Sequence, residues 1–207
     1  GAVTYDSSSK TATFTPNQTL ATSTQYTATV TATATTGVGM AAPAQWAFTT
    51  AKPPAQPGVC PCTLFDDADG PSNNPSTETS SVQLGVAFKA DAPGNITGIR
   101  FYKAGPNSGT HTIALWKADG TQLATATVGS ESTSGWQQAT FATPISVAAN
   151  TTYVASYFAP QGHYSVDENY FASAATTRAP LTALKNGTDG VNGVYRYATT
   201  SQFPSTG

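Results

Sequence analysis

The chain has 207 residues, 10% of them charged, and a formal net charge of -2. An ordinary soluble domain is roughly 25% charged, so hydroxyls and amides rather than charges keep this surface in water. Nine basic residues scattered singly offer no footprint for a phosphate backbone, which excludes nucleic acid as the expected partner; no apolar run approaches the ~20 residues of a membrane span.

Gly1 opens the chain with neither an initiator Met nor a signal-peptide pattern and reads as a cut or processed end. Residues 1–50 hold two predicted hairpins. Val3-Thr4-Tyr5 returns as Thr11-Ala12-Thr13-Phe14-Thr15 through a polar turn, and Tyr26-Thr27-Ala28-Thr29-Val30 returns through Gly37 and Gly39 as Trp46-Ala47-Phe48-Thr49-Thr50. Four strands with one apolar face make half a sandwich, which needs a facing layer. These segments, with Asp6, Pro16 and Leu20-Ala21, resemble the C-terminal half of a bacterial Ig-like domain of the surface-layer type. The resemblance implies a partial Ig-like sandwich whose N-terminal strands are missing. Residues 51–59 follow as a linker, where Pro53, Pro54 and Pro57 favour a stiff, extended spacer.

Residues 60–207 form the second expected domain. Cys60 and Cys62 have one residue between them, too close for a zinc knuckle. They form a strained bridge with each other or remain free thiols, and an oxidising compartment decides between the two. Asp66, Asp67 and Asp69, on a loop ending in Gly70, are the dense carboxylate cluster of the chain. Hard oxygen ligands of this kind suit a structural calcium ion, although Asp-rich turns also bond their own backbone.

From about Ser81 onward the apolar residues alternate, first in Val82, Leu84, Val86 and Phe88, then in Ile99/Phe101, Ile113/Leu115, Ala139/Phe141, Ile145/Val147 and Tyr153/Ala155/Tyr157. A period of two means strands with one buried face. Asp119-Gly120 marks a hairpin, and residues 171–184 read as a loop with at most one helical turn. The fold class is therefore all-β, with a jelly-roll-like β-sandwich after the linker.

The same alternation places Arg100 and Tyr102 opposite Ile99 and Phe101, and Trp116 opposite Ile113 and Leu115. Outward rings beside hydroxyls and an Arg are what sugar rings stack upon. His111 and His163 follow small-residue turns, where with Asp167 or Glu168 they would hold a divalent ion, contact a sugar, or simply bond the backbone. Arg100, Tyr102, His111, Trp116, His163 and Tyr164 are the expected ligand-binding residues. No catalytic residue is nominated: there is no paired-carboxylate signal for glycoside hydrolysis and no nucleophile elbow.

Cys60-Pro-Cys-Thr-Leu-Phe65, Leu84-Gly-Val-Ala-Phe88, Ile96-Thr-Gly-Ile-Arg-Phe-Tyr-Lys103, Gly109-Thr-His-Thr112, Leu115-Trp116, Gly135-Trp136, Tyr153-Val-Ala-Ser-Tyr157 and Ala159-Pro-Gln-Gly-His-Tyr164 resemble the actinobacterial module catalogued as domain of unknown function 4082. The resemblance implies an extracellular all-β module of a large secreted protein, one strand short after Phe203. The expected role is non-catalytic attachment to a glycan or cell-wall polysaccharide, with no cofactor beyond a structural calcium. The alternative is a spacer that contacts other domains of a parent chain and positions a catalytic one. A polysaccharide hydrolase or lyase is the third reading.

Overall fold

A computed structural model describes residues 1–21, 24–34, 36–50, 60–72 and 75–207. The chain divides into two compact units, Gly1–Pro54 and Ala55–Gly207. The expected linker, 51–59, lies outside the described residues. Among the described residues every regular element is a strand or turn, as a period-two pattern requires.

The first unit consists of β1 (Ala2–Asp6), β2 (Thr11–Thr15), β3 (Gln25–Val30) and β4 (Ala44–Thr49). They form two separate two-stranded sheets, β1 with β2 and β3 with β4, rather than one four-stranded sheet. The first turn is built by Asp6, whose carboxylate accepts bonds from the Ser8 amide and from the Ser8 and Ser9 hydroxyls at 2.7–2.8 Å. Those hydroxyls hold its carboxyl down at about 2. Val3 stands opposite Phe14, and Tyr26 opposite Phe48 with ring centroids 6.0 Å apart. The Tyr26 hydroxyl accepts the Ala21 N–H at 2.9 Å, and the Thr50 hydroxyl donates to the Ala21 carbonyl at 2.6 Å. A Tyr reaching back to backbone a few residues upstream is the corner device of Ig-type sandwiches.

The second unit holds β5 (Val82–Ala90), β6 (Gly94–Lys103), β7 (Thr112–Lys117), β8 (Gln122–Thr127), β9 (Gly135–Val147), β10 (Tyr153–Ala159), β11 (Thr176–Arg178), β12 (Leu181–Ala183) and β13 (Val194–Tyr197). Seven of these make one sheet in the order β11-β12-β5-β10-β7-β8, with β13 also paired to β5, and β6 pairs with β9 as a separate ribbon. The core lies between ribbon and sheet. Ile99, Phe101, Phe141 and Val147 from the ribbon meet Val82, Phe88, Ile113, Leu115, Tyr153 and Tyr157 from the sheet, so the sandwich is asymmetric. Strands β11 and β12 fall in the stretch expected to be a loop. Each is three residues long, too short to show a period.

One edge of β5 is shared. Leu181–Ala183 pair with its C-terminal end and Val194–Tyr197 with its N-terminal half, which leaves Val86 and Ala87 between them. The Asn192 carboxamide fills the gap: its oxygen accepts the Ala87 N–H at 2.7 Å, and its nitrogen donates to the Ala87 carbonyl at 2.9 Å and to the Leu184 carbonyl at 2.7 Å. A side-chain amide thus completes a backbone ladder that would otherwise hold buried, unpaired groups.

The sheet's other face is also covered. Ala87, Ala114, Trp116, Val154 and Leu184 form a second buried cluster under Val194 and Phe203. Gly85 gives the cover room there, because a Cβ on it would come within 3.0 Å of Pro204 and 3.1 Å of Ser156 and Val154, so those side chains would have to yield. No helix among the described residues is long and apolar enough to cross a membrane.

Candidate functional site

The six expected ligand-binding residues separate into three environments. Arg100 and Tyr102 project from the outer face of the β6–β9 ribbon, as alternation requires. Register puts Arg100 opposite Gln138 and Tyr102 opposite Trp136. The Arg100 guanidinium lies 4.7 Å from the Trp136 ring centroid, within cation–π range, and Tyr102 meets the same indole edge-on at 5.5 Å. Phe65 stacks on Trp136 at 6.2 Å and meets Tyr170 at 5.9 Å. Tyr170, 45% exposed, is the ring of this group that solvent reaches most.

The three carboxylates expected to bind calcium border this group and do not gather around one point. Asp67 pairs with Arg100 at 2.5 Å and Asp66 with Arg178 at 2.9 Å, while Asp69 lies 4.0 Å from Arg178 and accepts the Asp66 N–H. The Arg178 bond holds the Asp66 carboxyl below its ordinary range. Among the described residues no three His, Cys, Asp or Glu side chains are grouped as a metal would need. The Asp69 carbonyl accepts the Trp136 indole N–H at 2.9 Å, so the acidic loop is fastened to the ribbon by ion pairs and one indole.

Trp116 and His111 are internal, which corrects their expected exposure. Trp116 does lie opposite Ile113 and Leu115, but that face is roofed by Phe203, whose ring meets it at 5.8 Å, and only 5% of the residue is exposed. Its indole N–H donates to the Ser156 hydroxyl at 2.7 Å. Alternation identifies which face a side chain takes, not whether another layer covers that face.

His111 is 0% exposed. Its Nδ1 lies 2.8 Å and 2.9 Å from the two Glu131 carboxylate oxygens, and its Nε2 lies 2.8 Å from the Asn107 side-chain oxygen. Lys103 Nζ completes the network, 2.9 Å from Glu131. Burial pushes the His111 pKa down against the opposing pull of Glu131, with Lys103 adding to the depression. With a carboxylate at Nδ1 and an amide oxygen at Nε2, a ring protonated on both nitrogens donates at both, whereas a neutral ring donates at one.

His163 and Tyr164 form the third environment. His163 has a positive φ of 50° after Gly162, where a Cβ would come within 2.5 Å of the Glu78 carbonyl. The His163 N–H donates to that carbonyl at 2.6 Å, its Nδ1 lies 3.2 Å from the Ser76 carbonyl, and the Tyr164 carbonyl accepts the Ser76 N–H at 2.8 Å. Next to them, Asp167 accepts both the amide and the hydroxyl of Ser72. This pair fastens the segment before β5, and Tyr164 is half-buried against the main core.

Sequence reasoning passed over Trp136, Phe65, Tyr170 and Arg178. Trp136 was within reach: carrying the Ala139/Phe141 alternation back along β9 puts it on the outer face with Gln138. Phe65, Tyr170 and Arg178 come from segments with no period. Cys60 and Cys62 are joined as a disulfide with Cα atoms 4.4 Å apart.

Together these features define a modular all-β chain in which an aromatic group, tied down by ion pairs, lies on the outside of a sandwich. Residues 68–207 match the family described as Domain of unknown function (DUF4082), and the chain belongs to it. Residues 1–50 match the family described as Bacterial Ig-like domain. No curated protein and no solved structure matches the chain.

Proposed function

We propose that the second unit is a non-catalytic attachment module of an extracellular, modular protein, and that it contacts a glycan or cell-wall polysaccharide through the outer face of the β6–β9 ribbon. The observation that carries this reading is Tyr170, exposed at the margin of a ring group that includes Phe65, Trp136 and Tyr102. Sugar rings present an apolar face and a hydroxyl edge, so they are recognised by an aromatic ring flanked by polar groups. Asp67, Asp69 and Arg100 supply those groups; the Asp67–Arg100 pair and the contact of Asp69 with Arg178 preset their positions. A disulfide suits an oxidising, extracellular setting. The surface-layer character of the first unit belongs to the same reading.

The test is a polysaccharide array followed by titration calorimetry on the intact chain. Tyr170→Ala is expected to weaken binding at least about tenfold, equivalent to about 1.4 kcal/mol, with the thermal transition unchanged. An array on which the chain binds no polysaccharide, or a titration in which Tyr170→Ala binds like the parent, overturns the reading.

A second reading, a spacer that contacts neighbouring domains of a parent chain, is favoured by the exposed apolar faces of the first unit, where Val3, Tyr5, Phe14 and Trp46 stand open. It predicts an empty array, and protection of β1–β4 from hydrogen exchange when neighbouring domains are attached.

A further inference from the structure

The Cys60–Cys62 bond has no part in the ribbon face or in the core. It closes a loop with one residue, Pro61, between the half-cystines. A cross-link stabilises a fold chiefly by removing loop-closure freedom from the unfolded chain, and that gain grows with the logarithm of the residues enclosed. Enclosing a single residue restrains the unfolded chain far less than a bond across a long loop would. Nor does the bond join two elements of the sandwich, because both cysteines precede β5, which begins at Val82. Cys60 is exposed and Cys62 half-buried. Exposed disulfides are the labile, regulatory or catalytic ones, whereas structural disulfides resist reduction. The chain has two cysteines, neither of them free, so no internal thiol competes.

We propose that Cys60–Cys62 is an exchange-competent disulfide, a two-electron acceptor for an external dithiol, rather than a structural staple. A thiolate of the dithiol attacks Sγ of Cys60, the more exposed residue. The S–S bond breaks, and Cys62 leaves as a thiolate that takes up a proton. The second thiol of the partner loses its proton and attacks the partner's own sulfur in the mixed disulfide, which releases Cys60 as a thiolate that is protonated in turn. The dithiol is oxidised to a disulfide, and two electrons and two protons arrive on Cys60 and Cys62. This requires the attacking sulfur to reach Cys60 first, so the two cysteines are not equivalent.

The experiment equilibrates the full chain with dithiothreitol over a range of concentrations, quenches by alkylation and counts added groups by mass spectrometry, with circular dichroism recorded in the same buffers. Two alkyl groups are expected at dithiothreitol levels that leave the sandwich spectrum unchanged. A bond that stays oxidised until the chain is denatured, or a reduction that melts the sandwich, overturns the proposal. The order of attack is read from single variants: the thiol left in Cys62→Ser is expected to exchange with an aromatic disulfide probe at least about tenfold faster than the thiol left in Cys60→Ser. Equal or reversed rates overturn the assignment of Cys60 as the entry point.

Discussion

Val3, Tyr5 and Phe14 in the first unit and Val82, Ile113 and Leu115 in the second stand in strands of the same alternating composition, yet their surroundings are opposite. Val3 is 69% and Phe14 61% exposed, whereas Ile113 and Leu115 are fully buried. Alternation makes a strand with an apolar side; burial needs a second layer at the right distance. In the second unit the β6–β9 ribbon supplies one layer and the 184–204 segment another, one on each face of the sheet. Within the first unit each hairpin pairs only with itself. The contrast shows that a period of two records local geometry, while stability belongs to the layer that covers it.

The sharpest way to break that contrast is at Asn192, where the second unit depends on a side chain to close its sheet. Asn192→Ala leaves the Ala87 N–H and the Leu184 carbonyl without their partners inside the fold. Each buried group left unpaired costs about 1–3 kcal/mol, so a loss of about 2–4 kcal/mol is expected in urea denaturation followed by the fluorescence of Trp116 and Trp136. Asn192→Asp keeps the acceptor for Ala87 N–H but turns a carboxylate oxygen toward two carbonyls, and is expected to be no better. A loss under about 1 kcal/mol for Asn192→Ala would mean that water closes the gap and that the two β5-edge strands hold without it.

The second prediction concerns pH, and it applies to one unit only, since both histidines, His111 and His163, lie beyond residue 60. Around His111 stand Glu131, Lys103, Asn107, Phe101 and Tyr157. Because burial lowers its folded pKa below the ordinary value of about 6.5, the unfolded chain binds the proton first as pH falls. Stability is therefore complete above about pH 6.5 and is lost below it, with a slope of at most about 1.4 kcal/mol per pH unit for one proton. Denaturation midpoints of the second unit at pH 7.5 and 5.5 measure this, and His111→Gln is expected to flatten the difference. A second unit that gains stability on acidification over that range would mean that the Glu131 carboxylate outweighs desolvation.

The legibility of the molecule follows the same division. Strands β5, β6, β7, β9 and β10 were readable because each repeats its apolar side at least twice, and the β7–β8 turn because Asp119-Gly120 supplies a positive φ of 88° at Gly120. Arg100 and Tyr102 were correctly placed on an outer face by the same rule. Trp116 was placed on the correct side but assigned the wrong environment, since its cover comes from Phe203, distant in sequence and carried by no periodic segment. Glu131 and Asn107 were unreadable for a related reason: each lies in a turn region, and only the closed sandwich brings them to His111. Asn192 resembles any loop amide until the two strands that flank its gap are paired.

The smallest expected effect sharpens the contrast most. Phe14 stands opposite Val3 on a hairpin face that is open within its unit, so replacing it with Ser removes little buried apolar area. Surface substitutions of this kind change stability by about 0.5 kcal/mol or less, and Phe14→Ser is expected to leave the melting of the isolated chain within that margin. Its measured value is informative in either direction. A neutral result means that Phe14 contributes little folding energy in this chain, so that the β1–β2 hairpin rests mainly on the Asp6 turn and backbone pairing. A loss above about 1 kcal/mol, by contrast, would show that this face is covered in solution, because desolvated area is what converts a large side chain into stability. Repeating the comparison in a fusion to a further domain tests the domain-contact reading: a Phe14 that becomes costly to replace only there supports it, and an indifferent one counts against it.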